Sequence, residues 1–171
     1  MPPKFSPIPG AQGYQQSNPS VLATVSLLGS LQIFKEVGMM EPLRERSVLL
    51  TGYLESLLVK SAFYVAASLV AEKYTPEGDK IRIQKPRPAF TVITPHAPES
   101  RGAQLSLLFL PTGSGIMQEI FNYLLSKGVV GDERQPDVIR LTPAPLYNTQ
   151  VDCERAVMAL EEGFQSLAKH N

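Results

Sequence analysis

The sequence predicts an α+β fold, with helices packed on a small, mostly antiparallel sheet. The first half of the 171-residue chain holds long segments in which apolar residues recur at helical spacing. The second half holds short runs rich in β-branched and aromatic residues, bounded by turn residues, together with two more helical segments. A chain of this length can form one domain with a sizeable core.

The first predicted helix follows a Pro- and Gly-rich segment, residues 1–19, which we expect to be an extended arm or an interdomain segment. Asn18 is the candidate N-cap, Pro19 suits the first helical position, and Gly38 is the expected end. Because apolar residues occupy most of its faces, this helix is expected to be buried on most sides.

A second helix is predicted from Pro42 to Val59. Its buried stripe is expected to comprise Leu43, Leu50, Leu54 and Leu57. Its solvent face is expected to comprise Arg44, Glu45, Arg46 and Glu55. In the next stretch, "SAFYVAASLVAEKY" could continue the helix and "KIRIQKPRPAF" could form an edge strand.

Four short strands and two helices are predicted in the second half. The runs "FTVIT" and "AQLSLLF" are expected to pair across the turn "PHAPESRG", and "VVG" and "VIRL" are expected to be the other strands. The segment "GIMQEIFNYLLSKG" has the pattern of an amphipathic helix that ends at Gly128, and "NTQVDCERAVMALEEGFQSLAKH" is predicted to be a closing helix.

The composition argues against several classes of function. Sixteen basic and 16 acidic residues cancel, whereas nucleic-acid-binding proteins concentrate positive charge. A membrane partner is not expected, because the most apolar segment, from Val21 to Phe34, is interrupted by polar residues and is too short to span a bilayer. A single cysteine, Cys153, and two histidines leave no disulfide and no zinc ligand set, so we expect a cytoplasmic protein without a metal site.

Two short motifs have both a structural and a functional interpretation. The segment "LPTGSGIMQ" places T-G-S-G before a helix, where N–H groups could hold a phosphate, but Ser114 as a helix cap is the favoured interpretation. His96 in "TPHAPES" is expected to be a surface-turn residue rather than a catalytic base. No nucleophile–base pair at credible spacing and no dinucleotide or P-loop motif is present.

Arg140 is the sharpest candidate for a binding residue, because it is a permanent charge inside the apolar run of "DVIRLTPAPLYNT". Alternation along a strand puts it on the face opposite Ile139 and Leu141. Its guanidinium fork matches a carboxylate, and the two prolines that follow would hold the next loop stiff. An exposed strand arginine paired with Asp137 or Glu133 is an equally supported alternative.

Asn18 also has two interpretations, which do not exclude each other. In one it is a helix N-cap before Pro19. In the other, the same helix start points its N–H donors at an anion, and the Asn18 amide adds one more donor. A helix N-terminus is a natural phosphate site in either case.

Four blocks of the sequence carry a family resemblance: "QGYQQSNPSVLATVSLLGSLQIFKEVGM", "RERSVLLTGYLE", "VITPHAPESRGAQLSLLF" and "LLSKGVVGDERQPDVIRLTPAPLYNT". Each resembles the C-terminal part of kynureninase, a pyridoxal-phosphate hydrolase of the aspartate-aminotransferase fold (fold type I). The string R-x-x-P-x-P-L-Y-N favours kynureninase over another enzyme of this fold type, such as a cysteine desulfurase. By this resemblance, residues 20–171 form the C-terminal small domain, and residues 62–88, where the likeness is weakest, form an insertion.

The resemblance implies a function and three site residues. Kynureninase uses pyridoxal 5'-phosphate to hydrolyse L-kynurenine or 3-hydroxykynurenine to L-alanine and anthranilate or 3-hydroxyanthranilate, in tryptophan catabolism and NAD biosynthesis. It implies that Arg140 binds the α-carboxylate of the amino-acid substrate and that Ser17 takes part in recognising the substrate ring. It also implies that Asn18 lies at the cofactor and substrate site, across the interface of a homodimer.

The resemblance does not extend to the lysine that carries the cofactor, which lies upstream of the matched blocks in the family. No lysine of this chain has the family's lysine context. The chain is therefore expected to be the C-terminal piece of a kynureninase and to be inactive alone. The alternative is a non-catalytic remnant that associates with itself or with an intact subunit through the apolar segment from Val21 to Phe34.

Overall fold

The order of helices and strands along the chain comes from a computed structural model that describes Lys4, residues 6–74 and residues 86–170. The helices are α1 (Val21–Glu36), α2 (Met40–Leu58), α3 (Ala67–Tyr74), α4 (Ile116–Ser126) and α5 (Gln150–His170). The strands are β1 (Ala89–Val92), β2 (Leu105–Leu110), β3 (Asp132–Arg134) and β4 (Val138–Leu141). The chain divides into two compact units, residues 1–42 and residues 43–171.

The strands that the structure describes form one sheet in the order β1-β2-β4-β3, and every neighbouring pair is antiparallel. The two inner strands, β2 and β4, pair Leu105 with Leu141 and Leu107 with Ile139. These partners are all buried, so hydrophobic burial on one face fixes the register of the sheet. The predicted α+β fold, with helices on a small antiparallel sheet, is confirmed.

The core of the second unit lies between the sheet and three of the helices. Helices α2, α4 and α5 contribute aliphatic side chains that are almost fully buried, including Leu58, Ile120 and Leu160. Phe164 of α5 stacks on Phe109 and Phe90 of the sheet, with ring centroids 5.8 and 5.9 Å apart. These contacts attach the last helix of the chain to the strands.

Helix α1 differs from its prediction in two ways. Its N-cap is Ser20, whose hydroxyl accepts a hydrogen bond from the Ala23 N–H, so the prediction of Asn18 as the cap is wrong. None of its residues is buried, although burial on most sides was expected. Among the described residues of its own unit, no second apolar helix or strand covers it, so that part of the chain leaves it exposed. Its end is as predicted, since Gly38 follows it with a φ of +86°.

Among the described residues, no single helix is long and apolar enough to cross a membrane. Only α1 and α2, taken together as one broken span, meet the criteria of length and composition. Helix α2 nevertheless buries one face in the core of the second unit, as Leu50, Leu54 and Leu58 demonstrate.

Three further local predictions were wrong. The buried stripe of α2 ends in Leu58 rather than Leu57, which is half-buried, and it also contains Ser47 and Thr51. The segment "VVG" is not a strand, and pairing begins directly after it, at Asp132 of the polar strand β3. The segment after α2 forms a separate helix, α3, rather than an extension of it. The predicted edge strand at 80–90 lies largely outside the described residues, and only its last two residues belong to β1.

Two leucines of α2 provide a matched test of this packing. Leu54 is 2% exposed and Leu49 is 75% exposed. We expect Leu54→Ala to lower the free energy of unfolding by about 2–5 kcal/mol, because it leaves a cavity in the core. Leu49→Ala, on the same helix, should change it by less than about 0.5 kcal/mol. Urea unfolding followed by circular dichroism measures both, and equal losses would contradict the assignment of the buried face.

Candidate functional site

Strand β4 presents Arg140 on the face of the sheet opposite the core. Ile139 and Leu141 are buried, whereas Val138 and Arg140 are half-buried, as the alternation of the sequence predicts. The aliphatic neighbours hold the strand in place, and the arginine side chain is 29% exposed. A permanent cation is thus held at a fixed place on a buried strand, partly shielded from water.

The carboxylate that pairs with Arg140 is Asp132 of the neighbouring strand β3. The two residues are directly opposite in the β3–β4 register, and the Arg140 guanidinium donates through Nη2 to an Asp132 carboxylate oxygen. The same oxygen forms an ion pair with Arg134, whose Nη2 lies 3.0 Å away. Two guanidinium groups therefore share one carboxylate, and the cluster keeps an excess of one positive charge.

The two partners considered for Arg140 in the sequence are both wrong. Asp137 is buried, and both of its carboxylate oxygens accept from the Gly113 N–H at 2.9 Å. Glu133 is in register with Ile139 and so lies on the opposite face of the sheet from Arg140. Pairing across strands, rather than proximity in sequence, decides which acid meets the arginine.

In the T-G-S-G loop before α4, a carboxylate of the chain itself accepts a backbone hydrogen bond that was considered for a phosphate. The Gly113 N–H, one of the donors considered for a phosphate, is taken by the Asp137 carboxylate. Ser114 is not the cap of α4: its hydroxyl donates to the Pro111 carbonyl, and the N-cap is Gly115, which has no side-chain cap. The loop is a structural connection: it anchors the start of α4 to Asp137, the residue directly before β4.

The loop that follows Arg140 is held by Asn148 at its far end. The Asn148 side-chain oxygen accepts from the Ala144 N–H at 2.8 Å, and the Asn148 backbone N–H donates to the Ala144 carbonyl at 2.9 Å. Arg46 of α2 donates to the Asn148 carbonyl at 3.1 Å. The loop that carries the two prolines is therefore closed on itself and tied to α2, which limits its motion.

The next helix, α5, is capped directly after this loop. The Asp152 carboxylate accepts from both the backbone N–H and the hydroxyl of Thr149, at 2.8 and 2.9 Å. These hydrogen bonds, that of the backbone first, lower the pKa of Asp152 below its usual value. The cap fixes the point where the loop becomes helix.

A small cavity of about 170 Å³ lies behind the loop. Leu54, Leu141, Pro143 and Cys153 are among the residues that line it. Burial, and secondarily the charges of Asp152 and Glu154, raise the pKa of the Cys153 thiol to about 11. The thiol is therefore protonated at neutral pH and serves as a packing group rather than a nucleophile.

Ser17 and Asn18 lie together in the first unit, while Arg140 belongs to the second. Ser17 and Asn18 line an open depression of about 400 Å³, whose other lining residues are Ile8, Gln12, Gln15 and Gln16. The Gln15 side chain donates to the Ser17 carbonyl at 2.8 Å. The depression is rich in carboxamide and hydroxyl groups, which can both donate and accept hydrogen bonds.

His96 lies in an exposed turn, as predicted, and binds a carboxylate of α2. Its Nδ1 hydrogen-bonds to Glu55, which also pairs with Arg101 at 3.0 Å. Glu55 was expected to face solvent, but its side chain is only 13% exposed and that of Arg101 only 2%. The cluster attaches the turn between β1 and β2 to α2. No group of three or more His, Cys, Asp or Glu residues that could hold a metal occurs in the described part of the chain.

The sequence is similar to known proteins over most of its length. A family model described as "Kynureninase C-terminal domain" matches residues 78–160. The kynureninases of Yarrowia lipolytica, Eremothecium gossypii and Saccharomyces cerevisiae are 49%, 44% and 46% identical to this chain, over 94%, 96% and 95% of its length. By sequence, the chain matches the C-terminal part of kynureninases. It spans about a third of those relatives' length, 34% of each, and corresponds to their C-terminal part.

The match to the kynureninase domain covers part of the candidate site. Arg140, Asp132 and the loop to Asn148 all lie inside the matched segment, whereas Ser17 and Asn18 precede it. Sequence reasoning found Arg140 from its apolar neighbours but missed Asp132, eight residues earlier. The spacing of the two residues in a β3–β4 hairpin could have indicated the pair. It does so only if the length of the turn between the strands is known, because the turn sets which residues are opposite each other.

Cys153 is the only cysteine of the chain, so its reactivity reports on one site. With a pKa of about 11, only about a thousandth of the thiol is ionised at pH 8, and it is 2% exposed. We expect native chain to react with Ellman's reagent far more slowly than chain unfolded in guanidinium chloride, and the native rate to rise with pH. Equal rates in the two states at pH 8 would contradict the buried position of Cys153.

Proposed function

We propose that this chain is the part of a kynureninase that binds the substrate α-carboxylate, through Arg140. The reaction of the complete enzyme would be hydrolysis of L-kynurenine or 3-hydroxykynurenine to L-alanine and an anthranilate, with pyridoxal 5'-phosphate. The observation that carries the proposal is the guanidinium of Arg140, held on a buried strand inside the segment that matches the family. Among the described residues, its Nη1 has no hydrogen-bond partner, so donors remain for a carboxylate.

The chemistry of Arg140 fits an amino-acid ligand. A guanidinium binds a carboxylate through two parallel hydrogen bonds, which fixes the orientation of the ligand as well as its position. The excess positive charge of the cluster with Asp132 and Arg134 favours an anion over a neutral ligand. Fixing the carboxylate also fixes the bonds at the neighbouring Cα, which is a positioning contribution to catalysis.

The residues of the first unit fit a supporting role toward the cofactor. When bound, pyridoxal phosphate supplies a ring that accepts electrons released at the substrate Cα. The depression around Ser17 and Asn18 offers hydroxyl and carboxamide donors but no cation among its lining residues. Such groups can hydrogen-bond to a cofactor or a substrate ring without neutralising a phosphate. We therefore propose that Ser17 contributes to ring recognition and Asn18 to the cofactor site.

The chain alone is proposed to be inactive. None of its lysines has the sequence context of the family's cofactor lysine, and a positioned arginine supplies orientation rather than proton transfer or covalent chemistry. Activity is therefore best tested in a chimera, in which this chain replaces the matching C-terminal third of the Yarrowia lipolytica kynureninase.

In this chimera, Arg140→Ala should lower kcat/KM for L-kynurenine by between about 30-fold and about 5,000-fold. The loss corresponds to ~2–5 kcal/mol for a desolvated, charge-assisted pair. Arg140→Lys keeps the charge but not the fork and should lie in between. Arg155→Ala, an exposed arginine of α5, is the matched control and should have no effect. Steady-state kinetics measure all four proteins, and full activity of Arg140→Ala would refute the proposed role.

A second candidate function is association through α1. Its apolar side chains are exposed along a whole face: Val21, Val25 and Leu28, which lie one above another on the helix, are 74%, 59% and 55% exposed. Contiguous apolar surface of this kind marks sites of protein association. The partner would be a second copy of the chain or an intact kynureninase subunit, in line with the homodimer proposed for the complete enzyme.

Sedimentation of the isolated chain tests the second candidate. We expect dimers or larger species at micromolar concentration, and a shift to monomer when Val25→Gln and Leu28→Gln are combined, because the apolar face is interrupted. Leu49→Gln replaces a leucine outside α1 that is even more exposed than Val25 and Leu28, and it should leave the association unchanged. A wild-type chain that is monomeric over the whole concentration range would rule association out.

A further inference from the structure

Asp132 is the one hydrogen-bond partner that the Arg140 guanidinium has among the described residues. The pair is fixed by the backbone, because Asp132 and Arg140 are directly opposite in the β3–β4 register and project from the same face. The Nε of Arg140 is buried and has no partner within the described chain. The rotation of the guanidinium about its long side chain is therefore restrained by a single carboxylate.

Arg134 prevents Asp132 from neutralising the arginine completely. Its guanidinium shares the oxygen of Asp132 that Arg140 contacts, at 3.0 Å. One negative charge is thus divided between two positive charges, and Arg140 keeps the ability to attract an anion. A carboxylate that served only to cancel the charge of Arg140 would instead weaken binding of an anionic ligand.

We infer that Asp132 is a positioning residue for substrate: it holds one edge of the Arg140 guanidinium so that the free Nη1 side faces the incoming α-carboxylate. This inference rests on the proposed function of Arg140. Asp132 touches neither substrate nor cofactor in this account and acts only through the arginine. An arginine side chain has several rotatable bonds, so a partner that fixes the fork before binding removes an entropic cost from substrate binding.

The test uses the chimera with Yarrowia lipolytica kynureninase and L-kynurenine as the probe. Asp132→Ala should lower kcat/KM by between about 10-fold and about 100-fold, the range expected when a catalytic group is displaced by around an ångström. Asp132→Asn keeps an oxygen acceptor opposite Arg140 and should recover most of the loss. Glu119→Ala, an exposed acid on α4, is the matched control and should match the wild type.

A double-substitution cycle separates positioning from a general structural effect. If Asp132 acts through Arg140, Asp132→Ala should have no further effect on kcat/KM once Arg140→Ala is present. Losses that simply multiply would overturn the inference, as would an Asp132→Ala enzyme as active as the wild type. Thermal melting checks folding, and Asp132→Ser, whose hydroxyl is too short to reach the guanidinium, replaces the alanine variant if that one does not fold.

The same set of proteins distinguishes failure of the proposed function of Arg140 from failure of the positioning role of Asp132. Impaired Arg140→Ala with unimpaired Asp132→Ala leaves the function of Arg140 in place and refutes only the positioning role. Unimpaired Arg140→Ala refutes the proposed function itself. Impairment of both, with no additional loss in the double variant, is the result expected here.

Discussion

The burial of Ile139 and Leu141 is the constraint on which the rest of the candidate site depends. These two side chains pair with Leu107 and Leu105 of the neighbouring strand and close the core against the helices. A shift of β4 by one residue would expose both, so the register cannot change without losing the core. Arg140, between them in sequence, is consequently held on the opposite face. The hydrophobic packing of one face thus sets the place of the charge on the other.

From this one register the surrounding polar contacts follow. Pairing of β4 with β3 places Asp132 opposite Arg140, and the chain beyond β4 enters a loop closed by the Asn148 side chain. The loop is joined to α2 by Arg46 and passes into the capped start of α5. The arginine therefore stands between an edge strand and a braced loop, both attached to the same core. This is the kind of rigid support that a residue needs in order to orient a ligand.

The sequence was sufficient for those features that depend on local patterns. Helix periodicity, strand alternation and the glycine stops at Gly38 and Gly128 located most elements, and alternation alone gave the face of Arg140. Non-local features were missed. The strand β3 is polar and has no hydrophobic signature, because it lies at the sheet edge. The pairing of Arg140 with Asp132, and that of Glu55 with Arg101, depends on contacts between segments that the chain brings together only on folding. The exposure of α1 likewise could not be read from its composition, since an apolar helix predicts burial but does not name what covers it.

Arg140, held by Asp132, is proposed to receive the carboxylate of an amino acid. A crystal structure of the chimeric kynureninase with bound L-alanine, the amino-acid product of the proposed reaction, tests this claim most directly. We expect an α-carboxylate oxygen at about 2.9 Å from the Arg140 guanidinium, with Asp132 still bound to Nη2. A carboxylate bound by another residue, with Arg140 turned toward solvent, would contradict it.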